Sequence, residues 1–133
     1  MSKSAIYVVN SGAQAVDVDG TISLGGIVRR FGCAVDLNGS AVNITAPGFY
    51  DASVAVTVAP TAAGTVTVTM FNNGVAVPGA TASATVAGAA DAVSLAFESL
   101  VRVPCSGNSG SLSLVLTGAA ATVSNVAMVV EKL

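Results

Sequence analysis

Apolar and polar residues alternate along most of this chain with a period of two. In Phe49-Tyr-Asp-Ala-Ser-Val-Ala-Val-Thr-Val-Ala59, Tyr50, Val54, Val56 and Val58 share one parity; Asp51, Ser53, Ala55 and Thr57 share the other. Gly64-Thr-Val-Thr-Val-Thr-Met70 sets Val66, Val68 and Met70 against three threonines. Ser111-Leu-Ser-Leu-Val-Leu-Thr117 repeats the pattern with Leu112, Leu114 and Leu116. Successive side chains of a strand point to opposite faces, so this alternation predicts strands with one dry and one wet face. The β-branched content favours the same pleated setting. Helical spacing is nearly absent. Segment 80–92 is rich in Ala, but Gly88 and its Thr, Ser and Val residues favour strand or loop.

Turn chemistry separates the runs. Asn72-Asn73-Gly74 and Asn38-Gly39 each sit between apolar stretches and supply the positive φ of a tight hairpin. Pro47-Gly48, Pro60, Pro78-Gly79 and Ser106-Gly-Asn-Ser-Gly110 mark further turns. The predicted strands are 5–9, 15–18, 27–31, 41–45, 49–59, 65–71, 75–77, 81–86, 92–103, 111–117 and 121–131. Short strands at this spacing predict an all-β sandwich or barrel. No linker or charge shift divides residues 1–133, so one domain is expected.

Two segments carry apolar residues on both parities. In 92–103, Val93, Leu95, Phe97 and Val101 oppose Ala92, Ala96 and Leu100, and 121–130 behaves in the same way. Strands apolar on both faces are covered on both faces. A chain of 133 residues has material for one core, so the second cover is expected to be another subunit.

Composition sharpens this picture. Residues are 53% apolar and 9% charged, with five basic and seven acidic positions; about 25% charged is ordinary. A mean hydropathy of +0.77 suggests a bilayer, and 52–90 carries no charge. Yet Pro60, Gly64, Gly74, Pro78, Gly79 and the alternating threonines leave no run of about 20 apolar residues. Two Tyr and four Phe cannot make the aromatic girdles of a transmembrane barrel. The apolar core of the N-terminus has five residues, short of the roughly 7–15 of a secretory leader. The expectation is synthesis in the cytoplasm and no membrane partner. Nucleic acid is not expected either, because there is no basic patch.

The candidate chemistry is thin. His is absent, which removes the commonest general base, and no enzyme activity is expected. Cys33 and Cys105 are too few for a structural zinc, which takes about four ligands, so neither metal nor cofactor is expected. The two thiols are read as free and buried, with a disulfide left open. Asp17-Val-Asp19-Gly20 starts like a calcium loop but lacks its remaining ligands and reads as a turn. Asp51 and Glu98 form a second carboxylate pair if their strands meet, either solvated, bound to a cation or paired with Arg102. Arg29 and Arg30 are adjacent and must point to opposite faces. One of them is a candidate contact to a neighbouring subunit or a capsid, against the plainer role of a solubilising edge charge.

The order of features from Gly48-Phe49-Tyr50, through Thr65-Val-Thr-Val-Thr-Met-Phe-Asn-Asn-Gly-Val-Ala-Val-Pro-Gly79, to Asn125-Val-Ala-Met-Val-Val-Glu-Lys-Leu133 resembles a known family. It is similar to the tumour-necrosis-factor-like trimeric jelly rolls of bacteria and their phages, most closely over 45–133 and by strand count over the first 44. The resemblance implies a jelly-roll sandwich of about ten short antiparallel strands. It implies a sheet of 5–9, 121–131, 49–59 and 92–103 facing a threefold axis. On those strands Tyr7, Tyr50, Phe97 and Met128 are candidates for packing at the axis, or equally for the subunit's own core. No collagen-like repeat is present, which implies a free-standing homotrimer. The function implied is a virion structural protein, decorating a phage capsid or forming a head fibre, with capsid or other virion proteins as partners. The alternative is a carbohydrate- or receptor-binding adhesin of a phage, or of a bacterial cell or spore surface. Its ligands, such as host surface glycans, would meet loops 59–64, 87–91 and 105–110. Sugar stacking needs an exposed aromatic, and the aromatics fall mostly within predicted strands.

Overall fold

A computed structural model describes residues 3–88, 91–103 and 109–133. Eleven strands lie among them: β1 (Ala5–Asn10), β2 (Gln14–Val16), β3 (Gly26–Phe31), β4 (Val35–Asn38), β5 (Ala41–Ile44) and β6 (Gly48–Pro60). They continue with β7 (Gly64–Asn72), β8 (Val75–Val86), β9 (Val93–Val103), β10 (Gly110–Thr117) and β11 (Ala121–Lys132). One sheet runs β3-β1-β11-β6-β9, with β2 also on β11; the other runs β4-β5-β10-β7-β8. Every pairing is antiparallel. The two sheets pack into a jelly-roll sandwich. Among the described residues no helix is long and apolar enough to cross a membrane.

The alternation explains the core. Val66, Val68 and Met70 on β7 and Leu112, Leu114 and Leu116 on β10 are fully buried and meet Tyr50, Val54, Val56 and Val58 of β6 in one cluster. Ile22 and Leu24, on the segment between β2 and β3, also belong to it. That segment is held by Ile22 N–H donating to the Leu114 carbonyl, so its hydrophobes fill the sandwich without a regular strand.

The expected boundaries differ in two places. Segments 75–77 and 81–86 join into β8, and Pro78-Gly79 lies inside the strand instead of turning it. Strand β8 is a sheet edge, where the missing Pro N–H costs no ladder bond. Gly79 takes φ +78°, and the β7 register shifts between Thr69 and Phe71. Strand β4 was not among the expected strands; it pairs with β5 around the Asn38-Gly39 turn.

Gly118 turns β10 into β11 at φ +90°, and a Cβ there would collide with the Thr65 carbonyl oxygen. Left-handed strain alone is worth about 1–3 kcal/mol. Gly118→Ala is therefore expected to lower the unfolding free energy by at least that amount, read from urea denaturation with an unchanged slope.

Candidate functional site: the outer face of the six-stranded sheet

The register builds this face row by row. One row reads Arg29, Tyr7, Val129, Ser53, Glu98 from β3 across to β9. Its neighbour reads Phe31, Ala5, Glu131, Asp51, Leu100. On the other side lies a row of small residues, Val9, Ala127, Ala55 and Ala96. Five strands at about 4.8 Å spacing make the face about 19 Å wide. Tyr7 is 37% exposed, Val129 39%, Phe49 49%, Leu100 58% and Phe31 59%. Tyr7, Ser53, Ala55, Ala127 and Val129 line an open hollow of about 310 Å³ over the small residues.

The opposite outer face differs in chemistry. There Thr65 pairs with Thr85 at 2.9 Å, and Thr69 with Thr81 at 3.1 Å, through their hydroxyls. Thr67 and Ser83 stand between them. Hydroxyl-lined sheet surface is content in water, whereas an exposed apolar patch of several hundred Å² marks an interaction site.

Of the four residues expected at the axis, Tyr7 alone points outward. Tyr50 and Met128 are fully buried in the protomer's own core and cannot reach a partner. Tyr50 stands opposite Val101, and its hydroxyl donates to the Ala46 carbonyl at 2.8 Å. Burial pushes its phenol pKa up. Met128 stands between Val8 and Val54, both inward. Phe97, opposite Val54, packs partly buried against the same core. The residues that do form the face, Val129, Ala127, Ala55, Phe31 and Leu100, have the opposite parity. The legible signal was register: once Tyr7 pairs with Val129 as an outward residue, every residue in its row is outward too.

The two arginines separate as expected for neighbours on a strand. Arg30 turns toward the other sheet, donating from Nε to the Val35 carbonyl at 2.9 Å and lying 3.5 Å from Asp36. It is engaged within its own chain. Arg29 stays on the outer face beside Tyr7. Across the sheet, Asp51 and Glu98 do meet. A hydrogen bond with Asp51, the Asp51 charge and some desolvation hold the Glu98 carboxyl above its usual range, while Ser53 opposes this. The Ser53 hydroxyl donates to Glu98 Oε2 at 3.4 Å. Glu131 stands directly opposite Asp51. Arg102 lies four residues from Glu98 along β9, opposite Phe49, and Arg30 with Asp36 is the one ion pair among the described residues.

The remaining candidates are plain. Asp17–Gly20 closes a turn, Gly20 N–H donating to the Asp17 carbonyl at 2.9 Å. Cys33 is exposed, not buried as expected; Cys105 and most of loop 105–110 lie outside the described residues, as do residues 89 and 90 of loop 87–91. Among the described residues no three His, Cys, Asp or Glu side chains gather to hold a metal ion.

No protein-family model and no curated protein matches the sequence. Solved structures match the fold over nearly the whole chain. Murine APRIL superposes with a TM-score of 0.74 at 13% identity, covering 99% of this chain and 100% of that one. The globular domain of zebrafish complement 1qA gives 0.71 at 7% identity, covering 99% and 97%. The PRD1 vertex protein gives 0.56 at 11% identity, covering 98% and 96%. The fold is thus that of the tumour-necrosis-factor-like jelly rolls, with eleven strands where about ten were expected.

Proposed function

We propose that the protein is a non-enzymatic structural protein of a phage virion surface, a capsid decoration or head fibre, acting as a homotrimer closed through the outer face of the six-stranded sheet. The observation that carries the assembly is the contrast between the two outer faces. One is lined by Tyr7, Val129, Phe31, Leu100 and a floor of alanines; the other by hydrogen-bonded threonines. Burying the first against copies of itself removes apolar surface from water at roughly 25 cal/mol per Å². The second pairs the hydroxyls of Thr65 with Thr85 and of Thr69 with Thr81, and its polar surface suits the solvent side. The likeness to the PRD1 vertex protein supports the virion setting at the level of fold.

Light scattering is expected to return about 39 kDa, three chains of 12.9 kDa. A mass of 12.9 kDa at all concentrations overturns the assembly. The virion setting is tested by peptide mass spectrometry of particles purified on a density gradient from the phage whose genome encodes the chain. Absence of the chain from those particles overturns it.

The adhesin reading draws on a different observation. Phe31 and Phe49 lie in strands yet are about half exposed, so strand position does not keep an aromatic from stacking on a sugar. Binding on a glycan array that is lost in Phe31→Ala or Phe49→Ala would favour it over decoration.

A further inference from the structure

The face described above carries charge at both edges and none between them along the Tyr7 row. Arg29 ends that row on β3, and Glu98 ends it on β9 with Asp51 diagonally beside it. Among the described residues no cation lies within ion-pair distance of the carboxyl pair. A ring closed by rotation is head-to-tail: one edge of each subunit meets the opposite edge of the next. Rotation about an axis running along the strands preserves height. Residues at the two ends of one register row therefore arrive at the same level.

We propose, resting on the homotrimer reading, that the trimer closes by seating Arg29 of each subunit against the Asp51–Glu98 carboxyl pair of the next, three times around the ring. The occupant of this face is a second copy of the chain, chosen by charge as well as by apolar contact. A guanidinium presents a planar fork of donors that two neighbouring carboxyls can accept together. Tyr7, beside Arg29, and Ser53, beside Glu98, flank the contact on the same row.

The same contact fixes the sign of a pH dependence. Among the described residues the ionisable groups on this face are Arg29 on β3, Tyr7 on β1, Glu131 on β11, Asp51 on β6, and Glu98 and Arg102 on β9. In the lone protomer the Asp51 neighbour favours protonated Glu98. An arriving Arg29 favours the ionised form, so association releases protons. Trimer association accordingly strengthens as pH rises through the Glu98 titration and weakens on acidification. A face that brought the carboxyls together without a cation would show the reverse sign.

Sedimentation equilibrium of the full chain tests the pairing. Arg29→Glu and Glu98→Arg are each expected to weaken trimer association by about tenfold or more at pH 7.5, since each sets like charges together. The double variant, with the charges exchanged, is expected to return to within about threefold of wild type. Single variants that associate like wild type, a double variant no better than the singles, or association that strengthens on acidification each overturn this pairing and leave the homotrimer standing. A wild-type chain that stays at 12.9 kDa overturns both.

Discussion

Leu114→Ala is expected to remove about 3–4 kcal/mol of stability. The residue sits in the middle of β10, fully buried, opposite Met70 of β7. On its other side the Leu114 carbonyl holds the 17–25 segment through Ile22 N–H at 2.9 Å. Deleting the isobutyl group loses its transfer free energy and leaves a cavity between two hydrogen-bonded sheets that cannot close over it. A domain of this size has a total of about 5–15 kcal/mol, so the variant should denature at a visibly lower urea concentration. Ser113→Ala, one residue away on the outer face, is the control and is expected to shift stability by no more than about 0.5 kcal/mol. Both are compared at one protein concentration, because association adds to apparent stability. A larger loss from Ser113→Ala than from Leu114→Ala would reverse the face assignment of the whole sheet.

That assignment is legible in the sequence because Leu112, Leu114 and Leu116 hold one parity while Ser111, Ser113 and Thr117 hold the other, with Val115 the one apolar residue on the polar side. Parity read along a strand survives only while the pleat does. In β11 the pairing with β6 shifts between Val123 and Asn125, so Val123 and Val126 both face inward despite opposite parity. Much of the apolarity of 121–130 that suggested two buried faces is this bulge. What remains outward is Ala127 and Val129, with Ala96 and Leu100 on β9. The expectation of a second covering therefore rests on fewer residues than the sequence suggested, and they are clustered on adjacent strands.

The site residues were harder to read for a related reason. Tyr50 and Tyr7 both stand on strands of the same sheet, and nothing local distinguishes an aromatic that fills a core from one that covers a face. Tyr50 is decided by its partners, a buried Val101 and an Ala46 carbonyl that accepts a hydrogen bond from its hydroxyl. Tyr7 is decided by lying one residue out of phase with Ile6 and Val8, both buried. Ile22 and Leu24 are not legible as core residues in the sequence because alternation over so few residues, between a turn and Gly25, carries little periodic signal. Pairing across strands, a long-range property, supplied what periodicity could not.

Ala127→Arg is expected to abolish assembly while leaving the protomer intact. Ala127 sits on the central strand of the six-stranded sheet, in the row with Val9, Ala55 and Ala96. No side chain of that row extends beyond a few carbons, so it makes a low floor onto which neighbouring subunits can close. An arginine there stands out of the floor, and in the proposed homotrimer threefold symmetry repeats it three times around one axis. Burying an unpaired charge in an interface costs several kcal/mol, and about 1.4 kcal/mol is a tenfold change in association. A weakening of more than a hundredfold follows, and the mass by light scattering should fall from about 39 kDa to 12.9 kDa. The protomer itself has open space outside Ala127, so its far-UV circular dichroism should be unchanged. Thr67→Arg, on the outer face of the other sheet, carries the same charge and is expected to leave the trimer whole. A trimeric Ala127→Arg alongside a dissociated Thr67→Arg would move the subunit contact to the threonine face and with it the solvent side of the particle.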